Sequence, residues 1–195
     1  MSLQQKINRI TDILRRDDGI SGAMHYTEQI SWILFLRYLH SYEQKKATEA
    51  LLDGKEYKNV LAPEYRWDEW ACPKDEEGKL DHKRAKRADD LINFVNDELF
   101  PYLKGFYDDT IDAKSFQYKI GVIFDFVDNR IANGATLREV LDIVDEMEFN
   151  NKEATFELSN VYEKLLKEWN LPVFKVTNKI RNKKQKKHKK SKITK

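Results

Sequence analysis

The most regular apolar pattern in the chain lies between Ser21 and Tyr42. Eight of the ten residues from Ile30 to Leu39 are apolar, and only Ser31 and Arg37 interrupt them. A helix that is apolar on nearly all sides is buried in a protein or in a membrane. Ten residues are too few to cross a bilayer, which takes about 20. The pattern therefore predicts a helix buried in a soluble core, and other helices must cover it.

Apolar residues at helical spacing elsewhere in the chain predict the helices that cover it. An amphipathic first helix is predicted near residues 2–16, followed by Gly19, which suits a left-handed stop, and by Ser21, which can cap the buried helix. Further helices are predicted near residues 43–52, 82–101, 116–131 and 152–169, and another begins at a capping box formed by Thr136 and Glu139. The β-branched residues within 116–131 leave a strand as the alternative there.

An irregular loop is predicted over residues 55–82, because this stretch contains Pro63, Pro73 and the aromatic sequence YRWDEWA. Aromatic side chains bury large areas, so this loop is expected to fold back onto the helices. About seven helices and no convincing pair of strands predict an all-α multi-helix bundle. The small numbers of glycines (7) and prolines (4) agree with this fold class.

Charge divides the chain into an acidic body and a basic tail. Residues 172–195 contain eleven Lys or Arg and no acid. Removing these eleven from the total of 35 bases leaves 24 against 33 acids in residues 1–171, a net charge of −9. We therefore expect a helical domain over 1–171 and a Lys-rich tail over 172–195 that is disordered when unbound.

The compartment is predicted from what the sequence lacks. The single Cys72 provides no disulfide framework, and the N-terminus has no apolar segment typical of a signal peptide. No segment is long and apolar enough to span a membrane. These features predict a cytoplasmic protein without a membrane partner.

A search for catalytic chemistry yields no candidate catalytic, cofactor-binding or metal-binding residue. No glycine-rich loop follows a predicted strand, and no hydrolase or metalloprotease motif is present. Histidines and paired carboxylates occur, but in separate elements or as sequence neighbours. The simpler interpretation is a hydrogen-bonded or solvated role for the histidines and a position on a solvated face for the carboxylates. The histidines are His25, His40, His82 and His188, and the acidic groups are Asp17–Asp18, Asp75–Glu77, Asp89–Asp90 and Asp108–Asp109. Cys72 has no partner and is interpreted as a spare thiol.

The basic tail is the one charged segment with a clear functional alternative. Its lysines could neutralise several phosphates of a nucleic acid, and the affinity would then fall steeply with salt. Residues 178–195 contain no aromatic residue to stack on bases, so the contact would be nonspecific. A solubilising tail or a tail without a role is equally possible. The candidate nucleic-acid-binding residues are Lys183, Lys184, Lys186, Lys187, Lys189 and Lys190.

Four stretches in order resemble the N-terminal helical domain of the modification (M) subunit of type I restriction–modification systems. They are ILRRDDGISGAMHYTEQISWILFLRYLHSYE, YRWDEWA, LINFVNDELFPYL and IGVIFDFVDNRIANGATLREVLDIVDEMEFNNKEATFELSNVYEKLL. The resemblance implies a domain that precedes an S-adenosylmethionine-dependent DNA adenine-N6 methyltransferase domain. It also implies partners, namely the specificity and modification subunits of such a complex, and a part in enclosing DNA.

The chain departs from the family after YEKLLKEWN. The family continues through a Gly-Glu-Phe-Tyr-Thr-Pro-like junction into the catalytic domain, whereas this sequence continues as LPVFKVTNKIRNKKQKKHKK. No Pro-Pro pair occurs anywhere, so the family's Asn-Pro-Pro-Phe catalytic motif is absent. We therefore expect no cofactor in this chain, since S-adenosylmethionine would be bound by the missing catalytic domain. A truncated gene, a frame-shifted gene and an independent gene are the three alternatives for its origin, and a tail so unlike the body fits a changed reading frame.

Two functions follow from the sequence. The first is an N-terminal helical module of a type I modification subunit that serves subunit assembly and DNA enclosure and is inactive as a methyltransferase on its own. The alternative is a free-standing, nonspecific nucleic-acid-binding protein that acts through the basic tail.

Overall fold

The computed structural model describes residues 3–149, and the longest element among them is the helix α2, Ala23–Leu52. The predicted buried helix forms its central part. Trp32, Leu34 and Leu39 are each 1% exposed, as the apolar pattern predicts. Phe35 is only half-buried, and its ring lies 6.0 Å from that of Phe124.

The prediction of a separate helix over 43–52 is wrong, because α2 continues through these residues to Leu52. No glycine or proline interrupts the sequence between Tyr42 and Leu52, so nothing ends the helix earlier. It ends where predicted, at Asp53 and Gly54. Gly54 has a φ of 68°, and the amide of Lys55 donates to the carbonyl of Ala50 at 2.8 Å, which closes the last turn.

The first helix, α1, is Leu3–Leu14, and the connection from α1 to α2 differs from the prediction at two residues. Gly19 does not adopt the left-handed conformation. A glycine is required at this position for a different reason, because a Cβ atom there would lie 1.8 Å from the carbonyl oxygen of Arg130. Ser21 is not the N-cap of α2, because Gly22 occupies that position, and the Ser21 hydroxyl instead lies 2.9 Å from Nδ1 of His25.

The aromatic loop folds back onto the helices as predicted. It contains a 3₁₀ turn, Pro63–Tyr65, and the short helix α3, Trp67–Trp70, and it buries both Trp67 and Trp70. The segment that follows makes one isolated bridge between Lys74 and Leu80. No strand occurs in residues 3–149, so the all-α prediction is confirmed for the described part of the chain.

The helix predicted over 82–101 begins and ends later than expected. It comprises α4, Ala88–Asn93, a π-helical segment, Phe94–Leu99, and α5, Phe100–Lys104, in direct succession. Residues 82–87 are not helical, because Asp81 binds the amides of Lys83, Arg84 and Ala85 in turns. Pro101 does not end the helix, because the wider π segment precedes it and the amide of Phe100 bonds to the carbonyl of Val95.

The last two described helices are α6, Phe116–Asp125, and α7, Gly134–Asp145. The strand alternative for 116–131 is thereby wrong, and so is the extension of this helix to Ile131. The capping box is also wrong, since Asn133 is the N-cap of α7 and its Oδ1 accepts from the amides of Ala135 (2.8 Å) and Thr136 (3.4 Å). The predicted helix over 152–169 and the basic tail lie outside the described residues.

The core sits where α4–α5 and α6 cover α2. The ring of Trp32 packs edge-on against Phe100 at 5.2 Å, and Phe100 packs in the same way against Phe124 at 5.4 Å. Leu91, Leu99 and Ile120 are fully buried. Within residues 3–149 we find no helix that is both long enough and apolar enough to cross a membrane.

Candidate functional site

The six tail lysines proposed to bind nucleic acid lie outside the described residues, and other polar and charged groups occur in the described part of the chain. Several bases of this part are held by neighbouring side chains. Lys46 pairs with Glu49, Arg84 with Glu69 at 2.7 Å each, and the Lys86 ammonium lies 4.3 Å from the centre of the Phe94 ring. Arg130 pairs with Glu28 at 3.4 Å. These four bases are therefore engaged by contacts within the protein.

The histidines and the cysteine have structural surroundings. His25 contacts Ser21, and the half-buried His40 lies 3.6 Å from a carboxylate oxygen of Asp68. Burial lowers the pKa of His40 despite the opposing effect of Asp68. In residues 3–149 no group of three or more His, Cys, Asp or Glu side chains could hold a metal ion.

Cys72 is buried, and its surroundings do not activate the thiol as a nucleophile. Its side chain is 2% exposed, and burial raises the pKa of the thiol to about 12, although Arg138 opposes this shift from a distance of 3.0 Å. A thiol with this pKa carries almost no thiolate near neutral pH, and the thiolate is the nucleophile. The environment therefore fits the interpretation of Cys72 as a spare thiol.

Asp145 at the end of α7 joins three elements. Its Oδ1 accepts from Nε1 of Trp67 at 2.8 Å, its other carboxylate oxygen pairs with Lys74, and Arg37 of α2 donates to its main-chain carbonyl at 3.2 Å. Burial lowers the pKa of Arg37, and Asp145 opposes that shift. This polar contact fixes the aromatic loop against α2 and α7, so we assign it a structural role.

Residues 128–133 form a loop, and the side chains of Asp17, which follows α1, and of Gln29 in α2 bind its main chain. The buried carboxylate of Asp17 accepts from the amides of Ala132 (2.9 Å) and Asn133 (3.1 Å). Gln29, which is 0% exposed, donates to the carbonyl of Asp128 at 3.0 Å and accepts from the amide of Arg130 at 3.1 Å. These bonds explain why α6 cannot continue through the loop. Asp17 is therefore a buried structural group and not the solvated acid that the sequence suggested.

An open groove of about 640 Å³ lies beside the segment that follows α2. The groove is lined by residues 56–63 and by Arg66, Tyr102 and Gln117. The groove segment, residues 55–60, is held at its end by three elements. The amide of Val60 donates to Glu43 of α2, the carbonyl of Val60 accepts from Gln117 of α6 at 3.4 Å, and the Tyr102 hydroxyl accepts from the amide of Ala62 at 2.9 Å.

Exposed aromatic side chains lie close to this groove. Tyr42 is 41% exposed and Phe116 is 42% exposed, and their rings are 6.5 Å apart. Phe116 is the residue before Gln117, and Tyr42 precedes Glu43, so both belong to the elements that hold the groove segment. Exposed aromatic residues beside a groove are typical of protein-binding surfaces.

The comparisons with known proteins agree on one family. The HsdM N-terminal domain family matches residues 3–167. The chain belongs to the HsdM N-terminal domain family. Among curated relatives, it is 30% identical over 168 residues to the type I restriction enzyme EcoEI methylase subunit of Escherichia coli, covering 86% of this chain and 31% of that subunit.

Two solved structures share the fold of this HsdM N-terminal domain. The first is a modification subunit assigned to a type I restriction enzyme of Vibrio vulnificus, with a TM-score of 0.69 and 31% identity, covering 85% of this chain and 34% of that one. The second is a chain from a study of complex assembly and conformational transition in the type I restriction–modification system, with a TM-score of 0.62 and 34% identity. It is matched over 85% of this chain and 30% of its own length. The chain thus spans about a third of the length of these relatives.

Sequence reasoning identified the family but not the groove. The groove depends on contacts between residues far apart in the chain, such as Glu43 with Val60 and Gln117 with Val60. The sequence did carry one usable signal, since the stretch after Gly54 combines Tyr57 and Val60 with no helical period. That signal indicates an ordered loop without indicating what it borders.

Proposed function

We propose that this chain acts as the N-terminal helical module of a type I modification subunit and that it serves the assembly of the subunits and the enclosure of DNA. The observation that carries this proposal is the family match, which extends over residues 3–167 and is accompanied by the same fold in two modification-subunit structures. The partners proposed are a specificity subunit, modification subunits and DNA. The proposed location is the cytoplasm, where such a complex would meet DNA.

Methyl transfer is assigned to a catalytic domain and not to the residues of this chain. A site for S-adenosylmethionine of the kind predicted for the family needs a glycine-containing loop at the end of a strand, and residues 3–149 contain no strand. The sequence contains no Pro-Pro pair for the family's catalytic motif. The described residues therefore do not fit this cofactor, and we derive no step of the reaction through it.

Complex formation tests the proposed function. The chain is mixed with a specificity subunit and a full-length modification subunit of the same system, and association is followed by sedimentation velocity. A module that serves assembly should co-sediment with at least one of the two subunits. A chain that sediments alone at tens of micromolar, under conditions in which the two subunits bind each other, would exclude this role.

The basic tail supports a second candidate function. We propose Lys183, Lys184, Lys186, Lys187, Lys189 and Lys190 as nonspecific phosphate contacts. The support is the run of eleven bases without an acid in residues 172–195, which differs from the net charge of −9 in the preceding residues. This proposal adds DNA contacts to the module and requires no catalytic group.

A further inference from the structure

The end of α2, residues 42–52, has one side against the protein and one side open to solvent. Glu43 is 3% exposed and binds the amide of Val60, and Ala47 and Ala50 are half-buried on the same side of the helix. The other side carries exposed residues at helical spacing. We call this side the outer face of α2, and its members are Tyr42, Lys45, Glu49 and Leu52.

The outer face is symmetric about the level of Ala47 along the helix axis. Its four members lie within about 80° of one another around the axis, given 3.6 residues per turn. Lys45 and Glu49 lie about 3 Å to either side of that level, and Tyr42 and Leu52 lie about 7.5 Å to either side. A second α2 that runs antiparallel across this face therefore brings each lysine to the other copy's glutamate and each tyrosine to the other copy's leucine. Such reciprocity is what a twofold interface requires.

The charges of the outer face complement each other between two copies. Lys45 makes no ion pair with another residue in the range 3–149. Glu49 pairs with Lys46 at 2.7 Å through Oε2, so its Oε1 can accept from Lys45 of a second copy. Because Lys45 and Glu49 are one helical turn apart, two antiparallel copies form a square of four alternating charges. Charge networks contribute more than isolated surface pairs. The complementary partner of this face is thus the same face of a second copy.

Apolar groups lie at both ends of the outer face. Leu52 is 83% exposed and Tyr42 is 41% exposed. Phe116 of α6 is 42% exposed and extends the apolar surface beside Tyr42, since the two rings are 6.5 Å apart. Burial of these groups between two copies favours association. The face is short, however, so the association is expected to be weak.

We propose that two copies of this chain pair through the outer face of α2, with the two helices antiparallel, Lys45 of each copy against Glu49 of the other and Tyr42 against Leu52. The pairing goes beyond the proposed function, because it requires no other subunit. Its failure would leave binding to the specificity and modification subunits as the separate question that it is.

Sedimentation velocity of the full-length chain over a range of concentrations measures the pairing. We expect a monomer–dimer equilibrium with a Kd of about 100 µM. A chain that stays monomeric up to about 1 mM would overturn the proposal.

Charge reversal tests which residues meet. Lys45→Glu and Glu49→Lys each place like charges opposite one another in a pair of identical copies, so each should weaken self-association by at least about tenfold. An equimolar mixture of the two variants restores both attractions, and its dimer should form within about threefold of the unaltered affinity. Lys58→Glu, on the opposite side of α2, is the control and should change the affinity by less than about twofold. A mixture that associates no better than either variant alone would contradict the antiparallel pairing.

Two neighbouring leucines test the apolar contact. Leu52→Ser should weaken self-association by at least about fivefold, whereas Leu51→Ser should change it by less than about twofold. Leu51 is 76% exposed but lies about 100° away around the axis, outside the outer face. Thermal unfolding of each variant shows that the fold is kept. Equal effects of the two substitutions would overturn the assigned face.

Other occupants of the outer face give different results. Self-association that Lys45→Glu, Glu49→Lys and Leu52→Ser all leave unchanged would place the contact on another surface and overturn the proposal. A monomeric chain whose affinity for a modification or specificity subunit falls with the same three substitutions would assign the face to that subunit. That result would also overturn the pairing, while it would support the proposed function.

Discussion

Asp17 and Asp18 are adjacent acids with opposite surroundings. Asp17 is 4% exposed and its carboxylate accepts three main-chain amides, those of Gly19, Ala132 and Asn133, whereas Asp18 is exposed. A buried carboxylate that satisfies several amides stabilises the fold through charge-assisted hydrogen bonds. One side chain after α1 thus holds the start of α7.

Replacing Asp17 by Asn should lower the free energy of unfolding by about 2 kcal/mol or more. The substitution keeps the size of the side chain but turns one acceptor oxygen into an amide group that faces a main-chain donor. Chemical denaturation measures the loss. Asp18→Asn is the matched control and should change the stability by less than about 0.5 kcal/mol. Equal small effects of both substitutions would show that the loop does not depend on Asp17.

The contrast between these two residues also shows the limit of prediction for single residues. The sequence identified the apolar core residues Trp32, Leu34 and Leu39, because apolar side chains in a helical pattern are buried wherever the helix packs. It could not distinguish Asp17 from Asp18, because the distinction depends on a loop more than one hundred residues further along the chain. The same holds for Gly19, whose small size is required by the carbonyl of Arg130.

At the scale of elements, α2 has a buried first part and an exposed end. Leu34 is 1% exposed, whereas Leu52 is 83% exposed. Leu34→Ala should therefore lower the free energy of unfolding by about 2–5 kcal/mol through lost burial and a cavity. Leu52→Ala carries out the same chemical change at the exposed end and should cost less than about 0.5 kcal/mol. Thermal or urea unfolding compares the two variants, and an unchanged melting temperature for Leu34→Ala would show that this face of α2 is not core.

The helices were predictable as elements, whereas their ends were not. The apolar periods of α1, α6 and α7 are visible in the sequence, since each of these helices buries one face, and α2 is visible as a nearly continuous apolar run. The predicted helix ends are wrong where side chains outside the helix bind the main chain. Asp81 delays the start of α4, and Asn133 replaces the predicted cap of α7. Pro101 was expected to end a helix, but the π segment before it accommodates the ring.

At the scale of the whole molecule, the family was predictable from four sequence stretches in order, and the match over residues 3–167 confirms it. The groove was not predictable, since it is assembled from α2, the loop that follows it, α5 and α6. The acidic body and the basic tail were visible in the sequence, but their roles depend on partners.

Replacing the six proposed tail lysines by Gln should remove most of the salt-dependent binding of the chain to duplex DNA. Each lost phosphate contact should reduce the slope of log affinity against log salt concentration by about 0.9. Fluorescence anisotropy over a series of salt concentrations measures this slope. Body substitutions of exposed lysines, such as Lys114→Gln with Lys119→Gln, serve as the control. A slope that is the same for the tail variant and the unaltered chain would exclude the tail as the DNA-binding element.

The central claim is that this HsdM N-terminal domain is an assembly module, and direct binding to its partner subunits tests it most directly. Sedimentation velocity of the labelled chain, titrated with a specificity subunit and with a full-length modification subunit of the same system, gives the affinity for each. We predict a saturable complex with at least one subunit at micromolar concentrations. A chain that remains uncomplexed with both, while these subunits assemble with each other in the same buffer, would contradict the account.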